Sequence, residues 1–159
     1  MGKRITGILI IVWMAVIFAF SAQPAQQSSE TSQSVSYKIA EWQSRFFGQE
    51  KTKEELTAQA ESMQFMIRKG AHMSEYAFLA FLLCFHVNYY DVSRRKMALL
   101  SLGITACYAA LDEIHQLFVP GRAGRLTDVC IDTAGGIVGL AFFLLFCPDF
   151  LYRKTRKSR

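Results

Sequence analysis

Asp112, Glu113 and His115 stand within one helical turn of each other, Arg122 and Arg125 follow, and Asp128 and Asp132 come next at an i, i+4 spacing. A second group, Lys69, His72, Glu75 and Tyr76, has the i, i+3, i+6 and i+7 spacing of one helix face. Such residues suit acid–base work. His72 or His115 can act as general base, with Asp112 or Glu113 orienting it and Glu75 beside His72, while Arg122 and Arg125 can grip a phosphate or carboxylate through paired hydrogen bonds. Lys69, Tyr76, Gln116, Asp128 and Asp132 complete the candidate set as substrate-binding groups. No serine or cysteine nucleophile stands beside a histidine, so activated water is the expected attacking group. Several of these residues are metal-ligand types, but their spacing matches no standard zinc motif, so no metal is assigned, and the sequence names no cofactor.

The segments around these charges are apolar. The 159 residues are 52% hydrophobic and include 13 Phe but only 3 Pro, and the mean hydropathy is +0.18. That composition is too apolar for a soluble domain of this size and points to a membrane protein. The formal charge of +5 does not imply nucleic acid, because the basic residues sit in short clusters beside apolar runs, where they act as topology signals. Cys84, Cys107, Cys130 and Cys147 lie inside apolar segments without CxxC spacing and serve as small apolar residues.

The apolar pattern predicts an all-α fold, a single membrane domain of four transmembrane helices over about 3–22, 71–90, 97–119 and 129–151, with an extracytoplasmic helical loop at 23–70. The first run also has the build of a cleavable signal peptide, but its length and the three later spans favour a retained helix. Lys3 and Arg4, then Arg94 to Lys96, then the basic tail from Arg153 fall on one side of such a bundle, which makes that side and both termini cytoplasmic. In the loop, Val35, Ile39, Trp42 and Phe46 form one helical stripe, expected to lie on the membrane surface or to cap the bundle. A second helical pattern runs over 52–68, with Leu56, Met63 and Ile67 on one side, and reads either as an extension of the second span or as a partner-binding element.

This topology brings the charges to one membrane depth. His72 and Glu75 open the second span, Asp112 to His115 close the third, and Asp128 and Asp132 open the fourth. Ionised groups inside a membrane domain are costly, about 2.5–3.5 kcal/mol each at a helix centre, so a group of them implies mutual pairing or a water-filled cavity. "VPGRAG" is a turn in which Gly121 and Gly124 can take positive φ and fold Arg122 and Arg125 back over the helix ends. Those arginines either bind an anion or pair with Asp112, Glu113, Asp128 and Asp132. "GGIVG", with Gly135, Gly136 and Gly139, reads as a close helix-packing motif. The transporter class is disfavoured, because no broken-helix pair lies near the midplane.

Three stretches, "FSAQPAQQSSETSQS", "RKGAHMSEYAFLAFLL" and "LDEIHQLFVPGRAGRLTDVCIDTAGGIVG", resemble the motifs of the VanZ-like family of small bacterial membrane proteins. The resemblance covers most of the chain and departs mildly at Asp132, where asparagine is expected. It implies a multi-pass protein of the bacterial inner membrane, contacting lipid, and a link to glycopeptide (teicoplanin) resistance. An anionic cell-envelope molecule, such as a lipid-linked or cell-wall precursor, or a glycopeptide is then the expected ligand of an outer-leaflet site, bound with or without turnover. The alternative is a polar network that only fixes helix packing.

Overall fold

The computed structural model describes residues 2–90 and 92–147. Five helices follow one another: α1 (Gly2–Ser21), α2 (Ala25–Phe46), α3 (Lys53–Asn88), α4 (Arg94–Gln116) and α5 (Leu126–Phe146). Short polar signals fix their starts. Thr52 accepts from the Glu55 backbone N–H while the Glu55 carboxylate accepts from Thr52 N, a reciprocal capping box, and Ser93 accepts from Lys96 N at 3.2 Å. α2 begins directly after Pro24, which sits at its N-cap.

The expected loop is therefore helical throughout most of its length, and its second half is continuous with the predicted second span. α3 has 36 residues, a length of about 54 Å at the helical rise. Its first half pairs antiparallel with α2, as the bonds from Gln59 to Gln43 (3.0 Å) and from Gln64 to Ser29 O (2.8 Å) require. The stripe of α2 faces away from this contact: Val35, Trp42 and Phe46 are exposed, whereas Ser32, Ser36, Ala40 and Ser44 are buried. Small side chains let the two helices approach closely, so sterics, not apolarity, chose the buried face.

Among the described residues, α1, α4 and α5 are long and apolar enough to cross a membrane. α3 is not in that set, because His72, Glu75, His86 and Asn88 interrupt its apolar half. That half is nonetheless the centre of the bundle, with Tyr76, Leu79, Ala80 and Cys84 fully buried. Large apolar residues face outward on the other helices, among them Ile8, Ile11 and Val12 of α1 and Ile137, Val138 and Phe142 of α5. Residues 148–159 lie outside the described residues, so the end of the predicted fourth span and the basic tail do too.

Gly135 and Gly139 set the tightest contact. A Cβ on either would overlap α3 backbone, the Met73 carbonyl at Gly135 and the Ala77 carbonyl at Gly139, while a Cβ on Gly136 would meet Thr105 Cγ2 of α4 at 2.9 Å. The "GGIVG" motif thus packs two neighbours at once, as its spacing predicts.

Gly139→Leu is expected to force α3 and α5 apart and to cost about 1–3 kcal/mol or more. Gly103→Ala, where an added methyl meets nothing within 4 Å, should instead stabilise by up to about 1 kcal/mol. Melting temperatures of the two variants in one detergent check the contrast.

Candidate functional site

Three carboxylates lie inside one end of the bundle. Asp112 and Glu113 of α4 and Asp132 of α5 are 3%, 6% and 3% exposed. Asp112 ties α4 to the end of α1: Ser21 Oγ donates to its Oδ2 at 2.6 Å, and Gln116 Nε2 donates to both Ser21 Oγ (2.7 Å) and Asp112 Oδ2 (3.2 Å). Bonds from the Trp13 indole to the Glu75 carbonyl (2.9 Å) and from the Tyr108 hydroxyl to the Met14 carbonyl (2.6 Å) hold α1 against α3 and α4 below this point. The other Asp112 oxygen, Oδ1, and the Tyr76 hydroxyl are buried and have no hydrogen-bond partner among the described residues. Asp112 is also within electrostatic reach of His72, Glu75, Tyr76, Glu113, Arg122 and Asp132, which makes it the hub of the cluster.

His72 and Glu75 face this hub from α3, with His72 Nδ1 3.6 Å from Glu75 Oε2, an ion-pair distance too long for a hydrogen bond. Lys69, one turn earlier, pairs with Asp128 of α5 at 2.5 Å, and both side chains are mostly buried. Glu113 Oε2 accepts from the Arg125 backbone N–H at 2.7 Å, which caps the start of α5 and leaves the Arg125 guanidinium free to point elsewhere.

The loop between α4 and α5 folds back as its sequence predicts. Gly121 has φ +72°, but Gly124 does not share a positive φ. Glycine is needed at 124 for room: a Cβ there would sit 2.7 Å from the Glu113 carbonyl oxygen. The loop is stitched to the α1–α2 turn by Ala25 N donating to Pro120 O and by Arg122 Nε donating to Gln23 O, each at 3.1 Å. Burial and then the charge of Arg68 pull Arg122 below the usual arginine range, and Asp112, Glu113 and Asp128 oppose that shift. The ordinary value is so far above neutrality that the guanidinium stays charged.

Above the buried acids is a cavity of about 370 Å³. Its charged lining is Arg68, Lys69, Arg122, Arg125 and Asp128, with Gln64 and Gln116 beside them. A narrow polar neck, lined by His72, Glu113 and Asp132 together with Arg68, Lys69 and Arg122, continues from it into the bundle. Cations thus ring the mouth, while His72 and the carboxylates form the floor. No group of three or more His, Cys, Asp or Glu residues able to hold a metal ion occurs among the described residues.

The structure brings together all the sequence-derived candidates except His115. Its ring lies on Phe18 of α1, with centroids 4.4 Å apart, and it lines none of these cavities. Arg68 and Ser21 of the site escaped the sequence reading, as did Gln64 of the cavity wall. Arg68 is one helical turn before His72, so the spacing that grouped Lys69 with His72 was able to reveal it. Ser21 carried no local signal, since its partner is Asp112, 91 positions away.

A bundle with several membrane-crossing helices, lipid-facing apolar side chains and a cation-rimmed polar pocket at one end defines a multi-pass membrane protein with an internal charged site. The VanZ/LLP1 family model matches residues 6–147, and the chain belongs to that family. Comparison with curated proteins and with solved structures finds no match.

Ser21→Ala removes a bond to a buried carboxylate and should cost about 1.5–3 kcal/mol, the range for hydrogen bonds to charged groups. Glu41→Gln, which breaks only the exposed Arg45–Glu41 pair, should change stability by no more than about 1 kcal/mol. Thermal unfolding of both variants against the parent tests the difference.

Proposed function

We propose that this protein binds an anionic cell-envelope or lipid-linked molecule, through its phosphate or carboxylate, in the cavity at the outer membrane face. The observation that carries this reading is the charge of the cavity: four cationic side chains, Arg68, Lys69, Arg122 and Arg125, surround one carboxylate, Asp128, which Lys69 already engages. Guanidinium forks favour oxyanions, and partial burial strengthens them relative to bulk water. The topology that puts the cavity outside is a single domain of four spans with both termini cytoplasmic, α3 supplying the second span through its buried half and the α2–α3 pair forming the extracytoplasmic segment.

If the bound molecule is turned over, His72 is the general base, Glu75 orients it, and the reaction is attack by water on a group held at the neck, with the arginines stabilising developing negative charge. Asp112, Glu113 and Asp132 shape the floor, and Lys69, Tyr76, Gln116 and Asp128 position the ligand. A purely structural role has its own support for part of the cluster, because Ser21 and Gln116 bond to each other and to one oxygen of Asp112, and Glu113 caps α5. Arg68 and Arg125 have no such duty. A glycopeptide-resistance phenotype would follow if the ligand were a wall precursor or the glycopeptide itself.

Arg122→Gln and Arg68→Gln should each weaken binding of an anionic headgroup analogue such as glycerol phosphate by about tenfold or more, one charge-assisted contact being worth roughly 1.5–3 kcal/mol. Binding should also fall as salt rises. Calorimetry on the purified protein reads both, and unchanged affinity in either variant would sink the anion site. Loss of turnover in His72→Ala with binding retained would separate catalysis from recognition, as read by lipid and wall-precursor profiling of cells carrying each form.

Reporter fusions should place Gly121 to Gly124 outside the cell and Arg94 to Lys96 inside. The reverse pattern would move the cavity to the cytoplasmic face.

A further inference from the structure

A second cavity, about 240 Å³, lies on the other side of Arg68 and Arg122, which line both it and the cation-rimmed one. Its walls are the end of α1, the first turns of α2 and the middle of α3; Phe20, Val35, Ile67 and Ala71 make the surface exposed in it mostly apolar, and hydroxyl side chains of α2 together with His72 and Glu75 complete it. Phe20 and Val35 are 48% and 44% exposed. Phe20 carries the outward apolar surface of α1 to the mouth of this groove. A hydrocarbon chain can therefore reach Arg68 and Arg122 from the lipid without crossing water.

We propose that this groove holds an acyl chain of an anionic glycerophospholipid whose phosphate occupies the cation-rimmed cavity, so that the ligand enters sideways from the bilayer. Two features select this occupant. Charge complementarity demands an anion at the Arg68 and Arg122 end, which disfavours zwitterionic lipids, and the apolar walls demand hydrocarbon immediately beside it. Mass action supplies the rest: the surrounding bilayer presents such lipids at a concentration that fills a site of modest affinity. The headgroup half of this assignment rests on the anion site proposed above; the chain half rests on the groove alone.

Full-length protein in detergent is titrated with dioleoyl phosphatidylglycerol, dioleoyl phosphatidylcholine, a polyprenyl phosphate and soluble glycerol phosphate, and retained molecules are counted by native mass spectrometry. Phosphatidylglycerol should be retained at least about tenfold better than phosphatidylcholine. Ala71→Trp and Val35→Trp, both of exposed residues at the groove wall, should lower its retention at least about tenfold, the effect of losing contact with a few methylene groups. Glycerol phosphate binding should persist in both variants, which also shows that they are folded. Arg122→Gln should weaken phosphatidylglycerol and glycerol phosphate alike. Undiminished phosphatidylglycerol retention in the two tryptophan variants overturns the groove assignment while leaving the anion site standing. Preference for the polyprenyl phosphate over phosphatidylglycerol overturns the choice of lipid. No binding of glycerol phosphate to the parent protein overturns the anion site itself.

Discussion

The backbone contact between α3 and α5 is the constraint on which the rest depends. With hydrogen atoms in place of side chains at Gly135 and Gly139, α5 lies directly on the carbonyls of Met73 and Ala77. In lipid, the apolar driving force between helices is weak, and close packing of this kind has to take its place. The contact also sets register. Met73 is next to His72, and Gly135 is one turn after Asp132, so seating the glycines brings the histidine and the carboxylate to the same level. A displacement by one turn, about 5.4 Å, would separate Lys69 from Asp128 and strand both.

Once that register is fixed, the charges have to be satisfied where they fall. An unpaired ion in this environment is costly, and a carboxylate such as Asp112 is tolerable because Ser21 and Gln116 donate to it. The same arithmetic distinguishes the two halves of the cluster. Donors from the protein reach one oxygen of Asp112 and one of Glu113, which therefore act as joints between helices. The cations at the rim outnumber the acids they can pair with, and a surplus of one sign around a cavity is what an oppositely charged ligand completes.

The α2–α3 pair turns this polar end into an enclosed site. Without the extension of α3 beyond the bundle, Arg68 and Gln64 would have no scaffold, and without α2 the groove beside them would lack a wall. α2 is held by small residues and glutamine bonds rather than by its apolar stripe. Its aromatic residues consequently remain exposed, with Trp42 stacked on Phe46 at 5.3 Å between ring centroids.

Much of this was legible in the chain itself. Apolar run length specified α1, α4 and α5 as helices that can cross a membrane, the three closely set glycines specified a tight helix contact, and the spacing of Lys69, His72, Glu75 and Tyr76 put them on one face, because each depends only on local geometry. What the sequence left open was decided by long-range packing. The turn chemistry of Gly121 was readable, but the demand on Gly124 came from the Glu113 carbonyl lying against it. Both faces of α2 had helical spacing, and only the closeness of α3 chose the serine face over the aromatic one. His115 and Asp112 looked equivalent along α4, yet they point in different directions, one onto Phe18 and the other into the cluster. Ser21 belongs to the site only because α1 ends beside Asp112, and no local pattern encodes a meeting between residues so far apart in the chain.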